Sequence, residues 1–100
     1  MNVIRQTEEF TAWLDGLRDP KAWIRILRRI DAAKAGNFGD HKSVGEGVFE
    51  MRIDYGPGYR LYYARTDVAI YLLLFGGDKS SQRRDIAAAH VLWKSIKEGT

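Results

Sequence analysis

Two short segments of this sequence each set an arginine among alternating residues, and that spacing is where chemistry is first suggested. In the run from Val48 to Asp54 the strand period of two sends Phe49, Met51 and Ile53 to one face and Val48, Glu50, Arg52 and Asp54 to the other. From Tyr59 to Arg65 the same period separates Tyr59, Leu61 and Tyr63 from Arg60, Tyr62 and Ala64. If the intervening Gly56-Pro57-Gly58 loop keeps a symmetric register, Arg52 lies opposite Arg60, and Glu50 lies opposite Tyr62. Like charges placed opposite one another weaken a sheet. Such a pair is tolerated where water screens it, where Glu50 partners one guanidinium, or where a phosphate sits between the two.

A third cation, Lys79, follows the apolar run Val68 to Phe75 and the pair Gly76-Gly77. The two glycines either admit a ligand close to the backbone or end the strand, and Lys79 is either a solvated loop lysine or a member of the same cationic site. Groups able to move or orient a proton are His41, Glu50 and Asp85. His41 opens a weak strand with Lys42 beside it, and its ordinary titration range suits acid–base work. Asp85 either orients an arginine or is a solvated carboxylate at a helix start. His90 adjoins Ala89 on an apolar stripe and reads as a packed histidine.

Positioning these residues requires a framework, which hydrophobic period and punctuation outline. Val3 and Ile4 suit an opening strand. Thr7 caps a first short helix whose apolar positions are Phe10, Trp13, Leu14 and Leu17, and Gly16 lies near its end. Asp19-Pro20 restarts the chain as cap and first helical residue, and Trp23, Ile26, Leu27, Ile30 and Ala33 form a stripe that ends before Gly36. The short connection predicts a helical hairpin. Its second helix carries Lys21, Arg25, Arg28, Arg29 and Lys34 on the other side, either as a solvated face or as a contact for a partner.

From Asn37 the period changes to two. His41 to Glu46, Val48 to Asp54, Tyr59 to Arg65 and Val68 to Phe75 are the strand candidates, and the last is apolar enough to be covered on both faces. Thr66-Asp67 reads as a tight turn, so neighbours are antiparallel. Ser80 or Ser81 caps a last helix with Ile86, Ala89, Trp93 and Ile96 on its apolar side. The expected fold class is α+β: a small antiparallel sheet with an N-terminal helical hairpin and a C-terminal helix, helices against one face and part of the other accessible.

At 100 residues the chain fits one domain, residues 1–100, with no repeat or linker. Sixteen Lys and Arg against thirteen Asp and Glu leave a formal charge of +3, too modest to make the whole surface a nucleic-acid binder. The absence of Cys excludes disulfides and thiolate metal sites, and two His make a structural metal improbable; no metal or other cofactor is expected. No signal peptide or membrane-spanning run is recognisable, so the expected location is the cytoplasm, with no membrane partner.

The string Val48-Phe49-Glu50-Met51-Arg52-Ile53, then Gly56-Pro57-Gly58-Tyr59-Arg60-Leu61-Tyr62-Tyr63, then Leu72-Leu73-Leu74-Phe75-Gly76-Gly77-Asp78-Lys79-Ser80-Ser81-Gln82 resembles the RelE/ParE toxin superfamily. More narrowly it is similar to the HigB-like, phage-derived addiction-module killer proteins. The resemblance implies a type II toxin–antitoxin module whose toxin is a metal-independent mRNA interferase, cutting mRNA on the ribosome with the ribose 2′-hydroxyl as nucleophile. It implies Arg52, Arg60 and Lys79 as the catalytic cations, with Lys42 and Tyr62 touching RNA. The implied partners are the ribosome with its mRNA and a cognate antitoxin with a helix-turn-helix domain, which would be the indirect link to DNA. The same superfamily includes non-enzymatic ParE-type inhibitors of DNA gyrase, and a degenerate toxin serving only as an antitoxin-binding partner is a third reading. Where some family enzymes place Tyr or His for proton transfer, this chain has Asp85 with His90 a turn later.

Overall fold

The structure is a computed structural model, and it describes residues 1–99. The elements are β1 (Val3–Gln6), α1 (Glu8–Asp15), α2 (Pro20–Lys34), β2 (His41–Gly45), β3 (Val48–Ile53), β4 (Tyr59–Asp67), β5 (Ile70–Asp78), a single 3-10 turn over Lys79–Ser81, and α3 (Gln82–Glu98). They build an α+β domain around one five-stranded sheet with strand order β1-β5-β4-β3-β2.

Local chemistry sets the helix starts. The Thr7 hydroxyl accepts from the Phe10 amide at 3.0 Å and donates to the Leu74 carbonyl at 2.7 Å, so the residue that caps α1 also pins it to β5. Asp19 accepts from the Lys21 amide at 3.0 Å, and Pro20 opens α2 at a position where no amide is needed. Past α2, Gly36 takes a φ of +95°, a conformation that costs glycine little and ends the helix cleanly.

The sheet is mixed. β2, β3, β4 and β5 are antiparallel neighbours, but β1 pairs with β5 in parallel, Val3 beside Ile70 through Gln6 beside Leu73. The antiparallel sheet expected from short loops therefore holds for four strands. The two-helix excursion carries the chain from β1 at one edge to β2 at the other, and three successive antiparallel turns then bring β5 back beside β1 in the parallel sense. The main contacts of α1 run to β5 and β1 and those of α2 to β1, so the helices lean on the sheet rather than on each other as a hairpin would.

Helices cover both faces, not one. Phe10, Leu14, Ile26, Ile30 and Ala33 from α1 and α2 pack on Met51, Ile53, Leu61, Tyr63 and Leu73. On the other side Ala89 and Trp93 of α3 pack on Val48, Tyr62, Ala64 and Leu74. A fully buried Phe10 or Ile26 contributes about 1.5–3 kcal/mol, so each layer is stabilised mainly by a few such side chains. β4 and β5, whose alternate positions are apolar on both sides, are sandwiched as central strands.

Two boundaries differ from expectation. β4 continues through Thr66 and Asp67, and the turn falls on Val68 and Ala69, where Asp67 accepts from the Val68 amide at 2.7 Å. Val68 is thus 77% exposed instead of opening the next strand. β5 runs through Gly76 and Gly77 to Asp78. The glycines are interior strand residues: a Cβ on Gly76 would stand 2.1 Å from the Trp13 ring, and one on Gly77 would stand 1.9 Å from the Asp85 carboxylate. Among the described residues no helix is long and apolar enough to cross a membrane.

Candidate functional site

β3 and β4 pair in the symmetric register, so Arg52 stands across from Arg60 and Glu50 across from Tyr62. The next strand places Gly77 beside Arg60 and Asp78 beside Tyr59. Asp78 accepts from the Ser80 amide at 2.9 Å and from its hydroxyl at 2.5 Å, turning the chain immediately after β5. Ser81 takes the N-cap position of α3, as expected, but makes no side-chain capping bond there; the side chain that caps is Asp78, at the start of the preceding 3-10 turn. The turn holds Lys79 over the Gly56-Pro57-Gly58 loop, where its amide donates to the Pro57 carbonyl at 3.4 Å.

The result is one cleft of about 270 Å³, lined by Asp40, Arg52, Ile53, Asp54, Gly58, Arg60 and Lys79. Arg52, Arg60 and Lys79 thus come together from three separate elements. Three cations on one concave surface favour an anion with several oxygens, since each oxygen can take its own charged donor. Asp40 and Asp54 were not singled out by sequence. Asp40 is the last residue before β2, and Asp54 continues the exposed-side alternation of Arg52, which was the available signal for it.

Beneath the cleft lies a buried polar layer. Glu50 is 0% exposed, its Oε2 accepts from Gln82 Nε2 at 2.9 Å, and its Oε1 lies 4.0 Å from Arg52 Nε. Arg52 and Arg60 each bury Nε without a hydrogen bond, as does Tyr62 its hydroxyl. Burial, reinforced by the Glu50 and Asp85 carboxylates and opposed by Arg60, pushes the Tyr62 phenol well above its ordinary value of 10.0. Gln82, the first residue of α3, is a site-supporting residue that the sequence did not reveal, because its role depends on where the helix docks.

Several expectations are corrected here. Tyr62 is 0% exposed and cannot contact RNA directly, because α3 covers it. The same helix buries Glu50, which still partners Arg52 as expected, from beneath the cleft. Asp85 is 5% exposed, accepts from Ser81 Oγ at 2.5 Å and fills the space that Gly77 leaves empty; it is not a solvated helix-start carboxylate. His41 pairs with Met51 and therefore lies on the α1/α2 side of the sheet, away from the arginines. It lines a separate depression with Phe38, Phe49, Tyr63, Arg65 and Tyr71, its Nδ1 2.8 Å from the Gly39 carbonyl. Lys42 pairs with Glu50, on the cleft side of the edge strand, and is exposed. His90 lies 2.9 Å from the Val44 carbonyl, a packed position as expected.

The basic side of α2 is not a uniform solvated face. Arg29 donates to the carbonyls of Arg52 at 2.5 Å, Phe38 at 2.9 Å and Asp40 at 3.2 Å, tying the loop before β2 to the end of β3. This clamp holds Asp40 and Arg52 side by side. Arg25 stacks 4.5 Å over the Tyr55 ring, whose hydroxyl donates to Asp19 at 3.1 Å. Among the described residues no three His, Asp or Glu side chains gather as metal ligands.

No family model matches the sequence. A protein of Haemophilus influenzae, carrying only the name "Uncharacterized protein", is 46% identical over 93 residues, which cover 93% of this chain and 94% of that one. Identity at that level runs along almost the whole of both chains, and the chain belongs to the same family as this Haemophilus influenzae protein.

Proposed function

We propose that this protein is a RelE/ParE-type toxin of the HigB-like branch, an endoribonuclease that cuts mRNA held in the ribosome and is neutralised by a cognate antitoxin. The observation that carries this reading is the convergence of Arg52, Arg60 and Lys79 on one open cleft. In the reaction the ribose 2′-oxygen attacks the adjacent phosphorus, a new O–P bond forms, and the bond to the 5′-oxygen breaks. The products are a 2′,3′-cyclic phosphate and a 5′-hydroxyl.

Negative charge gathers on the non-bridging oxygens in the transition state, and preorganised guanidinium groups stabilise it without a metal. In this reading Lys79, which lines the cleft, protonates the leaving oxygen. Of the carboxylates lining the cleft, Asp40 is bound to Arg52 at 3.1 Å, which leaves Asp54 to accept the 2′-hydroxyl proton. A ribosome that orders the mRNA supplies the positioning that so small a cleft lacks.

Induction of the chain followed by mapping of RNA ends tests the reading. The expected result is arrested translation with mRNA cut at ribosome-occupied codons, ends bearing cyclic phosphate, and suppression by Arg52→Ala or Arg60→Ala in folded protein. Intact mRNA with a DNA-damage response would instead identify a gyrase inhibitor. Intact mRNA and no growth defect would identify a degenerate toxin that only binds its antitoxin.

A further inference from the structure

Glu50, Arg52, Arg60 and Tyr62 form a square on the α3 side of the sheet. Glu50 and Arg52 are two residues apart on β3, Tyr62 and Arg60 are two apart on β4, and the register sets them in direct opposition. One corner carries a negative charge, two carry positive charges, and the fourth is a phenol that burial keeps protonated. Their inward atoms, Glu50 Oε1, Arg52 Nε, Arg60 Nε and Tyr62 Oη, are all buried with no partner in good hydrogen-bond geometry, and the Tyr62 hydroxyl faces the Glu50 carboxylate closely enough for the two to interact. Gln82 reaches in from α3 and holds the other carboxylate oxygen at 2.9 Å.

We propose that Glu50 is a positioning residue, the buried counter-charge that sets both guanidinium groups with Nε inward and the remainder of each facing the cleft. Two arginines directly opposite repel and would splay apart across an open sheet. A carboxylate fixed on the same face, diagonal to one and adjacent to the other, removes that tendency and gives both a common anchor. Gln82 in turn fixes the carboxylate, so the start of α3 is coupled to the geometry of the cleft.

Stability alone does not account for this arrangement. A buried carboxylate–guanidinium group is commonly no more stabilising than apolar residues of the same volume, and the apolar alternative is abundant on this face in Val48, Ala64 and Leu74. What the charged version supplies is a defined direction for two long, otherwise mobile side chains. Glu50 has no surface from which to touch substrate, so it acts through the arginines. The consequence for RNA cleavage rests on the function proposed above; the positioning of the arginines does not.

The test uses Glu50→Gln, which keeps shape and the means to bond Gln82 but removes the charge, together with Gln82→Leu, which keeps the charge and removes its support. Arginine Nε–H exchange is followed by NMR in the whole chain, with Arg52→Lys and Arg60→Lys to assign the signals. Slow exchange at both arginines in the unaltered protein is expected, accelerated roughly tenfold or more by Glu50→Gln and less by Gln82→Leu, with the backbone amide spectrum retained. Ribosome-dependent cleavage should lose kcat by roughly tenfold or more while KM changes little, as expected when reacting groups are misdirected. Unchanged exchange and unchanged kcat in folded Glu50→Gln would overturn the proposal. If that variant does not fold, unchanged Nε exchange in Gln82→Leu overturns it. Altered exchange in a protein whose unaltered form never cuts RNA would leave the positioning role standing and remove the nuclease reading.

Discussion

Asp40 Oδ1 lies 3.1 Å from a terminal nitrogen of Arg52, on the outer side of the guanidinium and at the wall of the cleft. The pair is held in register from behind, because Arg29 binds the main-chain carbonyls of both residues and the Arg52 amide donates to the Asp40 carbonyl at 2.8 Å. Under the proposed function, an incoming phosphate would compete with Asp40 for this donor.

Asp40→Asn is accordingly expected to tighten binding of a single-stranded RNA oligonucleotide by roughly three- to tenfold, the range of a single exposed charge pair with a phosphate at moderate salt. Because the Asp40 side chain is 60% exposed and that of Arg52 36%, solvent screens the pair and stability should change by less than about 1 kcal/mol. Fluorescence anisotropy at fixed ionic strength measures the first, and urea unfolding the second. Weaker binding in the variant would show that Asp40 serves the site rather than competing in it.

Arginine and lysine should not be interchangeable at residue 60. Arg60 buries Nε while lining the cleft, an arrangement a lysine ammonium cannot reproduce. Arg60→Lys is expected to lower cleavage by roughly a hundredfold, close to Arg60→Ala, since loss of one preorganised donor costs about that factor. Lys79→Arg should also slow cleavage strongly, because a guanidinium keeps the charge but does not release a proton to the leaving oxygen. Single-turnover rates on programmed ribosomes give the comparison, and an Arg60→Lys enzyme with near-normal rate would contradict it.

Gly77 and Asp85 make a pair whose coupling is measurable. A methyl on Gly77 would stand 1.9 Å from Asp85 Oδ2, in a layer where Ser81 also binds that carboxylate. Gly77→Ala should destabilise the domain by about 1–3 kcal/mol, as other overpacking changes do. In Asp85→Ala the added methyl finds space, so the double variant should be more stable than the sum of the single changes predicts. Denaturant midpoints of the four proteins test this, and strict additivity would place the strain elsewhere.

Alkaline conditions should unfold this protein through its buried tyrosines. Burial raises the phenols of Tyr62 and Tyr63 well above 10.0, with neighbouring Glu50 and Asp85 adding to the first and Tyr71 to the second. The folded state thus holds protons that the unfolded chain releases near pH 10. The associated stability is fully present below about pH 10 and declines as pH rises through the raised folded values. Tyr62→Phe removes one of the two groups, and its stability should fall less steeply above pH 10 in urea titrations monitored by tryptophan fluorescence. An unaltered alkaline slope would assign the effect to other groups.

Local pattern in the sequence determined much of the cleft. The period of two put Arg52 and Arg60 on the same face, and a symmetric Gly-Pro-Gly loop was enough to set them opposite. The caps Thr7 and Asp19 marked two helix starts, because a cap is made by residues two or three positions apart. None of this information says which side of the sheet a distant helix will cover.

Only the tertiary structure decided that α3 lies on the face opposite α1 and α2, and this choice buries Glu50, Tyr62 and Asp85 while leaving Arg52, Arg60 and Lys79 at the cleft. It likewise placed His41 across the sheet from the arginines and joined β1 to β5 in parallel. The physical reason is that strand alternation assigns residues to faces, whereas solvent exposure depends on what packs against each face from far along the chain. Glu50 has the same strand position in either case. As a solvated carboxylate it would be a weak partner for one arginine, and beneath α3 it is the fixed charge on which both arginines rest.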